Sequence, residues 1–405
     1  MKHLALSASL AALAALQLTA ATPALAQTAP AAVSVAASPA THAASFNPVA
    51  LHYAALVHAS YADTLQTAQA MQRAIAAFVK SPSADALAAA RKAWLEAREF
   101  YGQTEAFRFY GGPIDDGNGP EGRINAWPMD ESFVDGIQGK PNTGLINNRK
   151  FAISKSSLAK QNERGGEENI ATGWHAIEFL LWGQDQSETG PGQRSFEDFV
   201  DGKVPNADRR RQYLTAATEL LVDDLSLLEK AWAPGVKNNY RAKFDKGGKE
   251  SVRKMLVGLG SLSRGELAGE RLEVALNSQD QEDEHSCFSD NTHRDVVNNA
   301  KGIQNVWLGE YQRANGSVLK GPSLRDLVAA KNAALADKTS QQIAASVAAA
   351  GTIQAPFDRE IVGAKDAPGR QRIQKTIESL TLQSKDLVTA ASALGITKLT
   401  LVSPK

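Results

Sequence analysis

The residues with the most chemical potential sit in one short phrase, Gly173-Trp174-His175-Ala176-Ile177-Glu178-Phe179-Leu180-Leu181-Trp182. At about 100° per residue, Ile170, Trp174, Ile177 and Leu181 make an apolar stripe, and His175, Glu178 and Trp182 fall together on the neighbouring face. A helix apolar on most of its circumference belongs inside the protein, and it carries its imidazole and carboxyl group in with it. A buried carboxylate is costly unless a cation, a metal or several hydrogen bonds compensate it. Side chains at i and i+3 can converge on one ion, so His175 and Glu178 are candidate metal ligands. The structural alternative is that Glu178 pairs with an arginine or accepts backbone hydrogen bonds while His175 caps or packs.

Two further segments are dense in functional groups. Gln281 through Asp295 contains carboxylates and imidazoles suited to zinc, iron or copper, and the only thiol, Cys287. Read without function, it is a solvated loop in which Ser289 or Asp290 caps the next helix, and Cys287 beside Phe288 is buried and inert. Arg123 through Glu131 reads as a rigid turn with two adjacent carboxylates; Asp130 or Glu131 could approach His175, or simply start a helix. The secondary pocket candidates are Asp130, Glu131, Arg98, Glu284, His285, Asp290 and His293.

None of this completes a hydrolytic motif. A His-Glu-x-x-His zincin carries its base directly after the first histidine, and the inverted form would need histidine where Phe179 stands. A catalytic zinc takes three protein ligands and a water, so the missing ligand and base would have to come from 130–131 or 284–293. No Gly-x-Ser-x-Gly elbow occurs, and no catalytic residue is assigned.

The elements that must hold these residues are helices. Leu65, Ala68, Gln72, Ile75 and Val79 share one face, and Leu87, Ala90, Trp94, Ala97 and Tyr101 share another beyond the Ser81-Pro82-Ser83 break. Leu214, Ala217, Leu221, Leu225, Leu228 and Trp232 repeat likewise, and Ile373, Ile377, Leu380, Ser384, Leu387, Ala391 and Leu394 follow an a/d pattern. Segments 252–276 and 324–349 are helical by composition, residues 109–150 and 277–302 break the rhythm, and only Lys398 to Val402 hints at a strand. The pattern predicts an all-α fold of helical bundles.

The N-terminus predicts export. Lys2, the uncharged run Leu4 to Leu18 and the small-x-small site Ala24-Leu25-Ala26 make residues 1–26 a signal peptide, with Gln27 opening the mature chain. An apolar run of about 15 residues is too short to span roughly 30 Å of hydrocarbon. No cysteine adjoins the cleavage site, so acylation there is excluded. Residues 27–47, rich in Ala, Pro and Ser, form a flexible tether. With one cysteine there is no intramolecular disulfide, and a formal net charge of zero argues against nucleic acid as a partner.

The phrase around His175 resembles the Gly-x-His-x-x-Glu signature of the imelysin family, which includes bacterial iron-regulated proteins and is classed among metallopeptidases. Phe107 through Asp115, Ile124 through Glu131 and Glu282 through His293 match that family's pattern too, and the resemblance covers roughly residues 48–395. It implies two helical-bundle domains related by approximate internal duplication, 48–205 and 206–395, with a tail at 396–405 and the motif near the cleft between them. Trp94, Arg98 and Tyr101, set against Asn305, Trp307 and Tyr311, are candidates for equivalent helices. The resemblance also implies a periplasmic role in iron acquisition, in solution or at the outer membrane, with iron, zinc or haem as the bound group. The implied partners are a metal ion or an iron- or haem-containing ligand and other envelope iron-uptake proteins. A metallopeptidase and a non-catalytic interaction module are the competing roles.

Overall fold

The computed structural model describes residues 45–402. The expected signal peptide, all but the end of the tether and the last residues of the tail lie outside them. The Ser81-Pro82-Ser83 break separates α1 (Phe46–Lys80) from α2 (Ala84–Thr104), and the Ser83 hydroxyl caps α2 by accepting the Ala86 N–H at 3.2 Å. The stripe from Leu87 to Tyr101 is wholly buried. Helix α3 (Gly173–Trp182) packs between α2 and α4 (Ala207–Ala231), and α4 also lies along α1.

A second group comprises α5 (Lys249–Ser261), α6 (Thr292–Leu308), α7 (Ala333–Ala350) and α8 (Pro368–Ala393), with α6 touching both α2 and α7. The described residues form one compact unit. Helix α4 begins just past the expected boundary at 205/206 but packs on α1 and α3, so the first group runs on to Ala231. Its stripe is what places it there: Leu214, Ala217, Leu221, Leu225 and Leu228 are all buried. No helix among the described residues is long and apolar enough to cross a membrane.

Several local expectations change. Segment 252–276 is helical as its composition suggested, but not α throughout: α5 continues as a π-helical stretch, Leu262–Glu273, before regaining α geometry at Val274–Ser278. Residues 292–302, read as irregular, belong to α6, whose cap position is Asn291 rather than Ser289 or Asp290. Helix α6 stops at Leu308, so Tyr311 lies not on a helix but on β1 (Glu310–Gln312), which pairs antiparallel with β2 (Val318–Lys320). Their turn contains Asn315-Gly316, with φ +83° at the glycine, a hairpin signal hidden by the shortness of the strands. Lys398–Val402 forms no strand; Leu401 and Val402 instead cover Gly260 and Gly265.

The glycine of the His175 phrase has a steric reason. Gly173 has φ +83°, and a Cβ there would stand 2.4 Å from the carbonyl oxygen of Ile124 and 2.7 Å from that of Arg123. Both backbone conformation and space therefore demand glycine where α3 meets the Arg123–Ile124 chain. Gly173→Ala is expected to cost at least about 1–2 kcal/mol. Chemical denaturation reads this directly, and a loss below about 0.5 kcal/mol would mean that the junction yields easily.

Candidate functional site

Helix α3 is fixed at both ends. At its start the Thr172 hydroxyl lies 2.9 Å from the Arg123 carbonyl, and the Tyr213 hydroxyl donates to the Ala171 carbonyl at 2.7 Å. At its end Arg91 donates to the Leu181 carbonyl through Nε (3.0 Å) and Nη2 (2.9 Å), a cation at the negative pole of the helix. All ten residues from Gly173 to Trp182 are buried.

Inside, the polar atoms of α3 meet the segment that leads into α6. His175 Nδ1 lies 2.9 Å from Glu178 Oε2. The other oxygen, Oε1, accepts from the Ser289 N–H at 3.0 Å and its hydroxyl at 2.7 Å. The rings of His175 and His285 are 4.9 Å apart, centre to centre. His285 Nδ1 lies 2.9 Å from Asp295 Oδ2, and its Nε2 is 3.4 Å from Asn125 Nδ2, so a hydrogen on Nδ1 suits both partners. Arg98 closes the network, donating to Asn125 Oδ1 at 2.7 Å and to Asp295 Oδ1 at 2.9 Å. Its guanidinium carbon stands 5.3 to 5.7 Å from the ring centres of Tyr101, Trp94 and Trp174. Two atoms are left over: His175 Nε2 and Arg98 Nε are buried with no hydrogen-bond partner, and of the two only the imidazole nitrogen can offer a lone pair.

Burial sets the charges. Burial and the Arg98 cation push His175 down to about 3, and burial with Arg271 does the same to His285, to about 3. Burial pushes Glu178 up to about 8 against the pull of the Ser289 hydrogen bonds. Asp295 goes the other way: burial opposes ionisation, but Arg98 and His285 hold it well below the usual carboxylate range. At neutral pH the network is a neutral His–Glu pair beside an ionised Asp295–Arg98 pair.

The predicted residues separate into groups. His175, Glu178, Arg98 and His285 belong to the network. Asp130 caps the short helix Glu131–Val134 through the Ser132 N–H (2.9 Å), and Glu131 reaches Gln184 at 3.5 Å. His293 accompanies the Asp290 carbonyl (3.0 Å) and lines an open groove of about 590 Å³ together with Ser289, Asn291 and Arg294. Glu284 and Asp290 are set among Asp185 and Asp358. Cys287 is buried, and burial pushes its thiol up. Sequence reasoning missed Asn125 and Asp295, which lie inside segments already singled out, and weighed Ser289 only as an alternative helix cap beside Asp290. Their side-chain amide, carboxylate and hydroxyl were visible; their pairing across the fold was not.

The family model for imelysin matches residues 57–387. Iron-regulated protein A of Synechococcus elongatus is 26% identical over 302 residues, spanning 75% of this chain and 74% of that protein. A crystal structure from Parabacteroides distasonis, described as an iron-regulated protein A precursor, superposes with a TM-score of 0.67 at 20% identity, covering 86% of this chain and 95% of that one. An imelysin-like protein from Psychrobacter arcticum superposes with a TM-score of 0.60 at 15% identity, covering 86% and 96%.

The shifted groups predict how stability depends on pH. His175 and His285 bind protons from pH 6.5 downward when unfolded but only near pH 3 when folded, so stability falls as pH drops from 6.5 toward 3. Glu178 has the opposite sign: the folded state keeps a proton that the unfolded chain releases near pH 4.5, so stability falls as pH rises from there toward 8. Thermal melts in chelator should peak near about pH 6. Glu178→Gln, which can keep the contacts to His175 and Ser289 without titrating, should make the alkaline side shallower, and His285→Gln the acid side. A melting temperature independent of pH from 4 to 8 would contradict the charge states.

Proposed function

The chain belongs to the imelysin family, and on that premise we propose that it is an exported, periplasmic protein of iron acquisition that holds a metal ion on His175 Nε2. The observation that carries this reading is the one unpartnered imidazole nitrogen of the network: Nε2 is buried without a partner, on a ring that burial keeps neutral and that Glu178 orients through Nδ1. A neutral imidazole whose other nitrogen is fixed by a carboxyl group is the usual form of a histidine metal ligand. His285, 4.9 Å away between ring centres, places a second imidazole beside it. A transition metal of the iron, zinc or copper kind suits such nitrogens, and bound there it would act as cargo or as a Lewis acid.

Glu178 supplies the proton chemistry. While it is protonated it donates to Nδ1, and the ring hydrogen sits on Nε2. When it ionises, Nδ1 takes the hydrogen and donates to Oε2, which frees the Nε2 lone pair. Metal binding at this atom therefore releases one proton. Iron enters the proposal through the iron-regulated relative and the family. Other envelope iron-uptake proteins are the candidate partners, with the groove beside Ser289 as the approach. The peptidase reading has less support, because both oxygens of Glu178 are engaged and, among the described residues, no set of three metal-ligating side chains converges on His175.

Two measurements test this. Intact-mass analysis of protein released from the periplasm should show a chain beginning at Gln27; retention of residues 1–26 would refute export by this signal. Elemental analysis of the same material, purified without chelator or metal-affinity resin, should find a transition metal that His175→Ala removes. A content unchanged by that substitution, or no such metal in the wild type, would end the proposal.

A further inference from the structure

The segment that satisfies Glu178 also borders a second group of acids. Asp185 follows the end of α3, Asp290 is the neighbour of Ser289, and Asp358 opens the short helix Asp358–Ile361. One oxygen from each lies within 4.8 Å of the others. That is no wider than two oxygens facing each other across an ion coordinated at roughly 2.3–2.6 Å. The three residues are 8%, 6% and 5% exposed. Asp185 Oδ1 accepts the Ser187 N–H at 2.9 Å, but Asp185 Oδ2 and all four oxygens of Asp290 and Asp358 accept no hydrogen bond from the protein.

A fourth residue points to the same place independently. Glu284 is fully buried, neither of its oxygens has a hydrogen-bond partner, and its carboxyl group faces Asp358 and Asp290. Arg359 acts on Asp358 only as a weaker, longer-range charge. Four buried carboxyl groups without a paired cation have two ways to persist: they hold protons, or they hold a cation. The nitrogen donors of the His175 network are not part of this set. Its chemistry is carboxylate oxygen alone, the preference of hard cations.

We propose that Asp185, Asp290 and Asp358, backed by Glu284, form a site for a hard divalent cation of the calcium class. The ion ties the loop after α3, the segment before α6 and the Asp358 helix together. Its ligands come from three places far apart in sequence, so occupancy stabilises the fold as well as the segment holding Ser289 and His285. The inference does not rest on the His175 reading, since the residues and the donor type both differ.

The test uses the full exported chain, stripped with chelator and dialysed at pH 7.5, then titrated separately with Ca2+, Mg2+ and Mn2+ by calorimetry and thermal melting. One Ca2+ per chain is expected, with a rise in melting temperature of about 5 °C at a hundred times the dissociation constant. Asp290→Asn and Asp358→Asn keep the shape and remove a negative charge, so they should fold at least as stably without ions and lose both the heat and the shift. His175→Ala should retain them. Response to Mn2+ or Mg2+ but not Ca2+ would overturn the calcium assignment. A wild type unmoved by all three ions at millimolar concentration, or a shift that survives in both Asn variants, would show that the acids hold protons and would overturn the site.

Discussion

Everything at the site follows from α3 having no solvent face. Its ten residues are all buried, so each polar group it brings inside must find a partner among other parts of the chain. That requirement explains features that look unrelated in sequence. Gly173 is needed because the backbone of Arg123 and Ile124 comes close enough to exclude a Cβ. Arg91 is needed because the carbonyl of Leu181 ends a helix inside the protein. Ser289 is needed because Glu178 requires donors for the oxygen that His175 does not reach.

The same logic organises the ionic groups beside α3. Arg98 is enclosed by three aromatic rings and neutralised by Asp295, while Arg271 donates to Glu105 and Asn299, at 2.6 Å in each case. Arg108, also on Glu105 at 2.7 Å, extends this second cluster toward Glu121. Removing one partner of such a pair leaves a buried charge, typically a loss of about 3–5 kcal/mol. The π-helical stretch that contains Arg271 joins α5 without a break, and the extra residue per turn shifts which side chains face α6 and α8. Two positive groups thus lie near two imidazoles, which helps keep His175 and His285 neutral.

Much of this was legible before any coordinates. The apolar stripes at Leu87 to Tyr101 and Leu214 to Leu228 are buried as their period required, and the enclosure of His175 and Glu178 follows from the apolar residues around them. Local periodicity carries that information because it is a property of one helix. What it lacks is pairing across the chain. Asn125 and Asp295 meet through Arg98, and Asp185 meets Asp358, only once the backbone has brought together residues far apart in sequence. A lone Asp185 in a Gly- and Gln-containing loop gives no hint of that. Acidic residues read as a solvated run behave differently too: Glu284 and Asp290 are buried, in a stretch tied to the loop after α3 by the Gly192 N–H, which donates to the Phe288 carbonyl at 3.0 Å.

The stretch from Glu284 to Asp295 is therefore where the two clusters are mechanically joined. Within it Glu284 and Asp290 turn to the aspartates, while His285, Ser289 and Asp295 turn to the His175 network. Ser286 stitches the stretch to itself, its N–H donating to Thr292 Oγ1 at 2.9 Å and its hydroxyl to Asp295 at 2.5 Å. Because Ser289 and Asp290 are adjacent, one stretch of backbone places both the Asp290 carboxylate beside Asp185 and Asp358 and the donors on Glu178 Oε1. Those donors favour the ionised form of Glu178, and loosening them favours the proton. The proton on Glu178 in turn decides which nitrogen of His175 carries hydrogen. The acid cluster and the donors that face the His175–Glu178 pair are thus held by adjacent residues of one segment.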